Sequence, residues 1–264
     1  MQFALHSDMT LRSRYECKYL LNEMLVPSLR EFMQPFMEPD HYARRQPDLR
    51  YPICSLYYDS HDLSLYKQTV SGEKNRFKLR VRSYDDHPDS PIFFEVKRKT
   101  NAIVSKHRGA LSRADATALI ERRRSPFELS SDPENQSDLD QFVLHSNLIE
   151  ARPVMRVAYM REAYQCRNGD PVRITIDTEL RHVMTLDYDL HHTTGRWVST
   201  PVQGAIIEIK FTERFPGWVS DLVQAFGFKQ QAVPKYVMSV DQLLNSNRES
   251  ASSLGGYTLP PRRG

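Results

Sequence analysis

Four cations stand two residues apart in one run: Arg76, Lys78, Arg80 and Arg82. In a β-strand, residues i, i+2 and i+4 share a face. The run therefore has a cationic face, and Phe77, Leu79 and Val81 make an apolar one. The split recurs along the chain. Arg14, Glu16 and Lys18 oppose Tyr15, Cys17 and Tyr19, and Glu95 shares a face with Lys97. Arg173, Thr175 and Asp177 oppose Ile174 and Ile176; Glu208 and Lys210 oppose Ile207, Ile209 and Phe211. A sheet with one solvated face alternates in the same way, but such a face normally mixes in Ser, Thr and Gln. These runs use mainly Arg, Lys, Glu and Asp, and like charges side by side repel. Arg offers planar forks for phosphate oxygens and Lys offers point charges. Acidic residues among the bases suit a hard divalent cation that bridges to phosphates. The chemistry indicated is a grip on a polyanionic chain of phosphates.

Those faces need strands to carry them. Strand-like runs cover 13–20, 53–60, 76–84, 91–99, 102–111, 153–165, 172–180 and 204–212. Helical patterns follow Asn22, open at Ser112, cover 216–228 up to Gly227, and begin again at Lys235. Residues 125–138 (SPFELSSDPENQSD) read as a polar mobile loop, and 185–199 as a hairpin around Thr194-Gly195. No helix follows each strand, so parallel βαβ winding is excluded and an antiparallel sheet is expected. The expected fold is α+β: a closed antiparallel β-barrel, or tunnel, of about eight strands with helices packed outside. About eight strands leave room inside for side chains or one small ligand. One domain is expected over 12–243, followed by a disordered tail, 245–264.

Bulk composition is that of a globular chain: 264 residues, 40% hydrophobic and 26% charged. The net charge of +3 is too small to predict nucleic-acid binding from bulk electrostatics. No stretch approaches the apolar run of a membrane helix, and the first twenty residues lack the layout of a signal peptide. A cytoplasmic location follows as an expectation. Cys17, Cys54 and Cys166 are scattered and form no CxxC pair, so they read as reduced thiols. His191-His192 reads as a polar turn, Arg122–Arg124 as a solvated helix end, and Trp197 and Trp218 as packing residues. One run is irregular: Arg156 and Arg161 have opposite parity, and Tyr159 shares a face with Arg161. Either a bulge resets the phase or only one of the two arginines faces a ligand.

The segments RYECKYL, SLYYDS, LRVRSY, FFEVKRKT, RPVMRVAYMREAY, VRITIDTEL, IIEIKF and VPKY occur in that order. As an ordered set they resemble the VTC domain, the polyphosphate polymerase domain of the triphosphate tunnel (CYTH-like) superfamily. The resemblance implies a metal-dependent ATP:polyphosphate phosphotransferase using Mn²⁺ or Mg²⁺, with ATP and polyphosphate as partners. It implies catalytic roles for Arg80, Arg82, Lys97 and Arg173. Lys18, Arg156, Tyr159, Arg161 and Lys235 would bind phosphates, with Lys78 and Lys210 beside them on the same faces. Glu208 would hold the metal. Glu16, Glu95 and Asp177 would either assist the metal or fix basic side chains, and Lys106 and Arg108 would line the tunnel mouth. The family's second lysine, three positions after Lys235, is Met238 here. Neither an SPX-type regulatory domain nor a membrane domain accompanies the segments, which suggests a stand-alone bacterial protein. The rival readings are an inorganic triphosphatase or polyphosphatase acting on inorganic triphosphate or pyrophosphate, and a non-catalytic polyphosphate- or nucleotide-binding module. Nucleic acid is not an expected partner, because aromatics do not interleave with the bases within these strands.

Overall fold

The computed structural model describes residues 14–101, 103–167, 169, 171–212 and 215–253. In chain order the elements are β1 (Arg14–Leu21), α1 (Val26–Met33), β2 (Met37–Pro39), β3 (Tyr51–Asp59), α2 (Ser64–Val70), β4 (Asn75–Ser83), β5 (Ile92–Thr100) and β6 (Ile103–Leu111). They continue with α3 (Arg113–Ile120), α4 (Pro126–Leu129), α5 (Pro133–Leu148), β7 (Arg152–Cys166), β8 (Arg173–Met184), β9 (Val198–Ser199), β10 (Ala205–Thr212), α6 (Gly217–Ala225) and α7 (Lys235–Ser253). All eight runs read as strands from alternation are strands. The chain groups into two compact units.

In the first unit, comprising residues up to Tyr51, Met160–Thr178 and Val202–Val233, the strand order is β1-β10-β8-β7. β1 and β8 both pair antiparallel with β10. Its apolar face carries Tyr19, Ile174, Ile176, Ile207 and Ile209 against Leu29 and Met33 of α1 and Val219 and Leu222 of α6. In the second unit, comprising Pro52–Tyr159, Glu179–Pro201 and the chain from Pro234, the order is β7-β3-β4-β5-β6. Leu79, Val81, Phe94 and Val96 are buried there with Ala116 and Leu119 of α3 and Leu139 and Phe142 of α5. Parity within single strands thus identifies both cores, and helices cover both apolar faces.

The strand order has two ends, β1 and β6, so among the described residues hydrogen bonds do not make the closed barrel. The local reason lies on β6. Its outer edge is already taken by α5: Arg108 N donates to Asp138 Oδ2 at 3.0 Å and Ala110 N to Asn135 Oδ1 at 2.7 Å. Asn135 Nδ2 returns a bond to Ala110 O at 3.0 Å. An edge strand covered by a helix has no ladder left to offer there. Alternation decides which face a side chain takes, not whether two edges meet.

Three local expectations are corrected. Residues 125–138 are not a loop: α4 starts from a Ser125–Glu128 capping box and α5 from Asp132, whose side chain accepts from Glu134 N. The Ser, Asp and Pro that resemble turn chemistry are caps and a first-turn proline. Residues 185–199 form no hairpin beyond the short β9, which pairs with β8. Residues 245–253 continue α7, and 254–264 lie outside the described residues.

The close seating of α5 on β6 depends on Gly109, where a Cβ would lie 2.6 Å from Leu139 Cγ in a side chain with no exposed surface. Gly109→Ala should cost about 1–3 kcal/mol of unfolding free energy by overpacking, measured by urea denaturation.

Candidate functional site

In the second unit, register brings the charges together. Arg80 lies between Tyr57 of β3 and Glu95 of β5, and Arg82 lies between Ser55 and Phe93. Glu95 faces Arg108 of β6, while Lys97 sits between Lys78 and Lys106. Glu95 is 3% exposed. Its Oε2 accepts from Arg80 Nε and lies 3.9 Å from Arg82 Nη1; its Oε1 lies 3.6 Å from Lys106 Nζ and 3.5 Å from Arg108 Nε. One carboxylate therefore serves four cations. Burial pushes the Glu95 carboxyl up, but Arg80, Arg82, Lys106 and Arg108 outweigh it and hold the group well below the usual carboxylate range. Burial and the other cations lower the Lys106 ammonium despite Glu95.

Hydroxyls orient the arginines. Arg82 Nε donates to Ser55 Oγ at 3.0 Å and its Nη2 to the Tyr159 hydroxyl at 3.5 Å; Arg108 Nη2 donates to the Tyr84 hydroxyl at 2.9 Å. Arg108 also stacks 3.9 Å from the Phe93 ring centroid, and Lys235 Nζ lies 4.7 Å from that of Tyr159. Aromatics do interleave with the bases, contrary to the single-strand reading, because neighbouring strands supply them. Several of their ring faces are occupied by the protein's own cations. Lys235 opens α7, and Tyr236 beside it ties that helix to β3. Its hydroxyl donates to the buried Asp59 at 2.8 Å, and its ring stacks 4.9 Å from that of Tyr57. Burial would push the Tyr57 phenol up, yet Arg80 and Arg82 bring it down to about 8.

The first unit has a different charge plan. Lys18 Nζ lies 2.9 Å from Glu16 and 3.3 Å from Glu208, and Lys210 Nζ lies 2.6 Å from Glu208. Arg161 binds Asp177 through two bonds, of 2.6 and 2.7 Å. Arg173 Nη2 donates to Asp40 Oδ2 at 2.6 Å. Burial lowers the Lys18 ammonium, but Glu208 and then Glu16 raise it overall. Here cations and carboxylates are nearly matched.

The sequence profile of the VTC domain matches residues 13–244. The chain belongs to the VTC domain family. Vacuolar transporter chaperone complex subunit 4 of Trypanosoma brucei brucei is 28% identical over 217 residues, covering 70% of this chain and 27% of the relative. The Schizosaccharomyces pombe protein of the same name is 26% identical over 222 residues, covering 70% and 30%. The chain thus spans less than a third of the length of these curated relatives. Both relatives are eukaryotic. HpAC1 of Hippeastrum, a proposed adenylyl cyclase with a dominant triphosphatase activity, shares the fold. It has a TM-score of 0.50 at 14% identity, covering 87% of this chain and 96% of that one. Among the described residues no helix is long and apolar enough to cross a membrane.

Within this VTC domain, Arg80, Arg82, Lys78, Lys97, Tyr159 and Lys235 lie on or beside the Glu95 group. Lys18, Arg161, Arg173 and Lys210 lie on the charged face of the first unit. Arg156 joins neither. It is 4% exposed, and its Nη1 donates to Asp189 while its Nη2 donates to Thr194 O at 3.0 Å. Its guanidinium lies 4.9 Å from the Trp197 ring centroid. β7 runs unbroken, so Arg156 and Tyr159 keep opposite faces, and Arg156 pins the 185–199 segment. Glu95 and Asp177 have the contacts of groups that fix basic side chains. Among the described residues no three His, Cys, Asp or Glu side chains gather as a metal cage. Glu208 still fits a divalent ion, because magnesium-type ions take one or two carboxylates and complete their shell with phosphates and water. A buried hydroxyl without a hydrogen-bond partner, Thr175 Oγ1, stands opposite Glu208 on β8.

Tyr57, Ser55, Tyr84 and Asp40 also contact these cations, without having been expected from sequence. Parity applied to ICSLYYDS would have found the first two, since Ser55, Tyr57 and Asp59 oppose Cys54, Leu56 and Tyr58. No local pattern marks Asp40.

Glu95→Gln should cost roughly 3 kcal/mol at neutral pH, because it leaves the buried Arg82 and the half-buried Arg80 without their anion. The depressed carboxyl contributes stability above its unfolded value of about 4.3, and that contribution is lost as pH falls through the folded value. Urea titrations should show the variant and the parent converging in acid. Ultraviolet titration should show one phenol ionising at about pH 8 that is missing from Tyr57→Phe. That phenol adds stability as pH rises from its folded value toward the unfolded value of about 10.

Proposed function

We propose that this VTC domain is a polyphosphate polymerase-like phosphotransferase that moves the ATP γ-phosphate onto a polyphosphate chain. The carrying observation is the sharing of one buried carboxylate, Glu95, among Arg80, Arg82, Lys106 and Arg108. Within that group three positive charges lack a matching anion. Excess positive charge around a buried carboxylate, with Arg82 itself buried, suits an external polyanion with many oxygens. The pair relatives named as vacuolar transporter chaperone subunit 4 support the same reading.

Phosphoryl transfer needs positioning and charge neutralisation more than covalent chemistry. An oxygen of the terminal phosphate of the growing chain attacks the γ-phosphorus of ATP. The bond to the β–γ bridging oxygen breaks, and ADP leaves. The attacking oxygen is already anionic, so no general base is required. Arg80, Arg82 and Lys97 hold and polarise the transferring group, with Lys78, Tyr159 and Lys235 binding the neighbouring phosphates. In the first unit, Lys18, Arg161, Arg173 and Lys210 are the residues assigned to phosphate. Glu208 would hold a Mn²⁺ or Mg²⁺ ion, which would supply neutralisation of phosphate charge.

Arg80→Ala and Glu208→Ala should each lower turnover by about a hundredfold or more while the cooperative melt persists. Long-chain product and free phosphate from ATP are followed together. Long product supports polymerisation. Free phosphate alone would mean a triphosphatase, binding without turnover in any divalent metal would mean a binding module, and full activity in both variants would remove these residues from the site.

A further inference from the structure

Thr175 is the anomaly on the charged face of the first unit. It sits in the middle of β8, directly opposite Glu208 of β10, which in turn faces Lys18 of β1. Thr175 is 2% exposed, and its Oγ1 is shielded with no hydrogen-bond partner. Its neighbours on that face are all engaged: Arg173 with Asp40, Asp177 with Arg161, and Lys18 and Lys210 with Glu208. Buried hydroxyls are normally satisfied. Nor does the fold require this one, since valine has the same branched shape, suits a strand equally well and carries no polar atom to strand in the interior.

A buried hydroxyl with no partner within the protein is open to one from outside the chain. The adjacent groups restrict what that partner is. Thr Oγ1 offers lone pairs on the residue paired across the strands with Glu208, whose carboxylate is an acidic oxygen donor. Hard divalent cations take oxygen ligands, and a Ser or Thr hydroxyl on Mg²⁺ is an established pairing in phosphate-binding sites. We propose that Thr175 Oγ1 is an oxygen ligand of the divalent cation, alongside the Glu208 carboxylate. The inference rests on the reading of Glu208 as the metal residue and deepens it.

The test measures Mn²⁺ binding by electron paramagnetic resonance, with inorganic triphosphate present and no turnover required. Thr175→Val should bind Mn²⁺ on the order of tenfold more weakly, with a melting temperature equal to or above that of the parent, because an unsatisfied hydroxyl has gone. Thr175→Ser should restore most of the affinity. Glu208→Gln should weaken binding at least as much as Thr175→Val. If Thr175→Val binds Mn²⁺ like the parent while Glu208→Gln does not, the assignment of Thr175 is overturned and that of Glu208 survives. If the parent itself fails to bind Mn²⁺ with triphosphate, both are overturned.

Discussion

The second unit depends on a carboxylate buried among cations. Removing Glu95 from water is unfavourable, and so is burying Arg82 beside Arg80. The two costs offset each other only because register brings the charges within a few ångströms, where reduced dielectric strengthens attraction. Arg80 and Glu95 are direct cross-strand partners, and Arg108 faces Glu95 from the other side. The hydroxyls of Ser55, Tyr84 and Tyr159 then fix the guanidinium planes. The group is held rigid but not neutral. Glu95 and Arg82 are shut away from water, while Arg80, Lys106 and Arg108 keep part of their surface in it.

The two units divide the electrostatic work. In the first, each of Arg161 and Arg173 has its own aspartate, and Glu208 stands between two lysines. Such pairs orient side chains without storing much excess charge. In the second, one acid answers four bases. The orphaned Thr175 hydroxyl belongs to the balanced face, beside the acid with the most cationic company.

Supporting parts are less visible than the charges and as necessary. α5 seats on β6 because Gly109 has no Cβ, and its Asn135 and Asp138 occupy the outer edge beside Arg108. The stack of Tyr57 on Tyr236, anchored by Asp59, holds the start of α7 and hence Lys235. Arg156 lies apart from both charged groups: it ties the 185–199 segment through Asp189 and Thr194. Motif likeness assigns it to phosphate because the motif records residue type, while the odd number of steps to Tyr159 sends it to the other face.

Strand alternation alone determined the eight long strands, the apolar faces and the membership of most cations in one face or another, because a strand's period of two is a local property. It also carried the ordered motifs of the VTC domain. Tertiary structure decided what pairs with what. That Glu95 serves four cations, that Asp40 holds Arg173, that Tyr57 lies against Arg80 and that Thr175 faces Glu208 all depend on register between strands distant in sequence. The open strand order was likewise beyond reach, since the side chains that cover the edge of β6 come from a segment whose caps look like turns. Parity places a side chain on a face; only the pairing of strands says which charges share it.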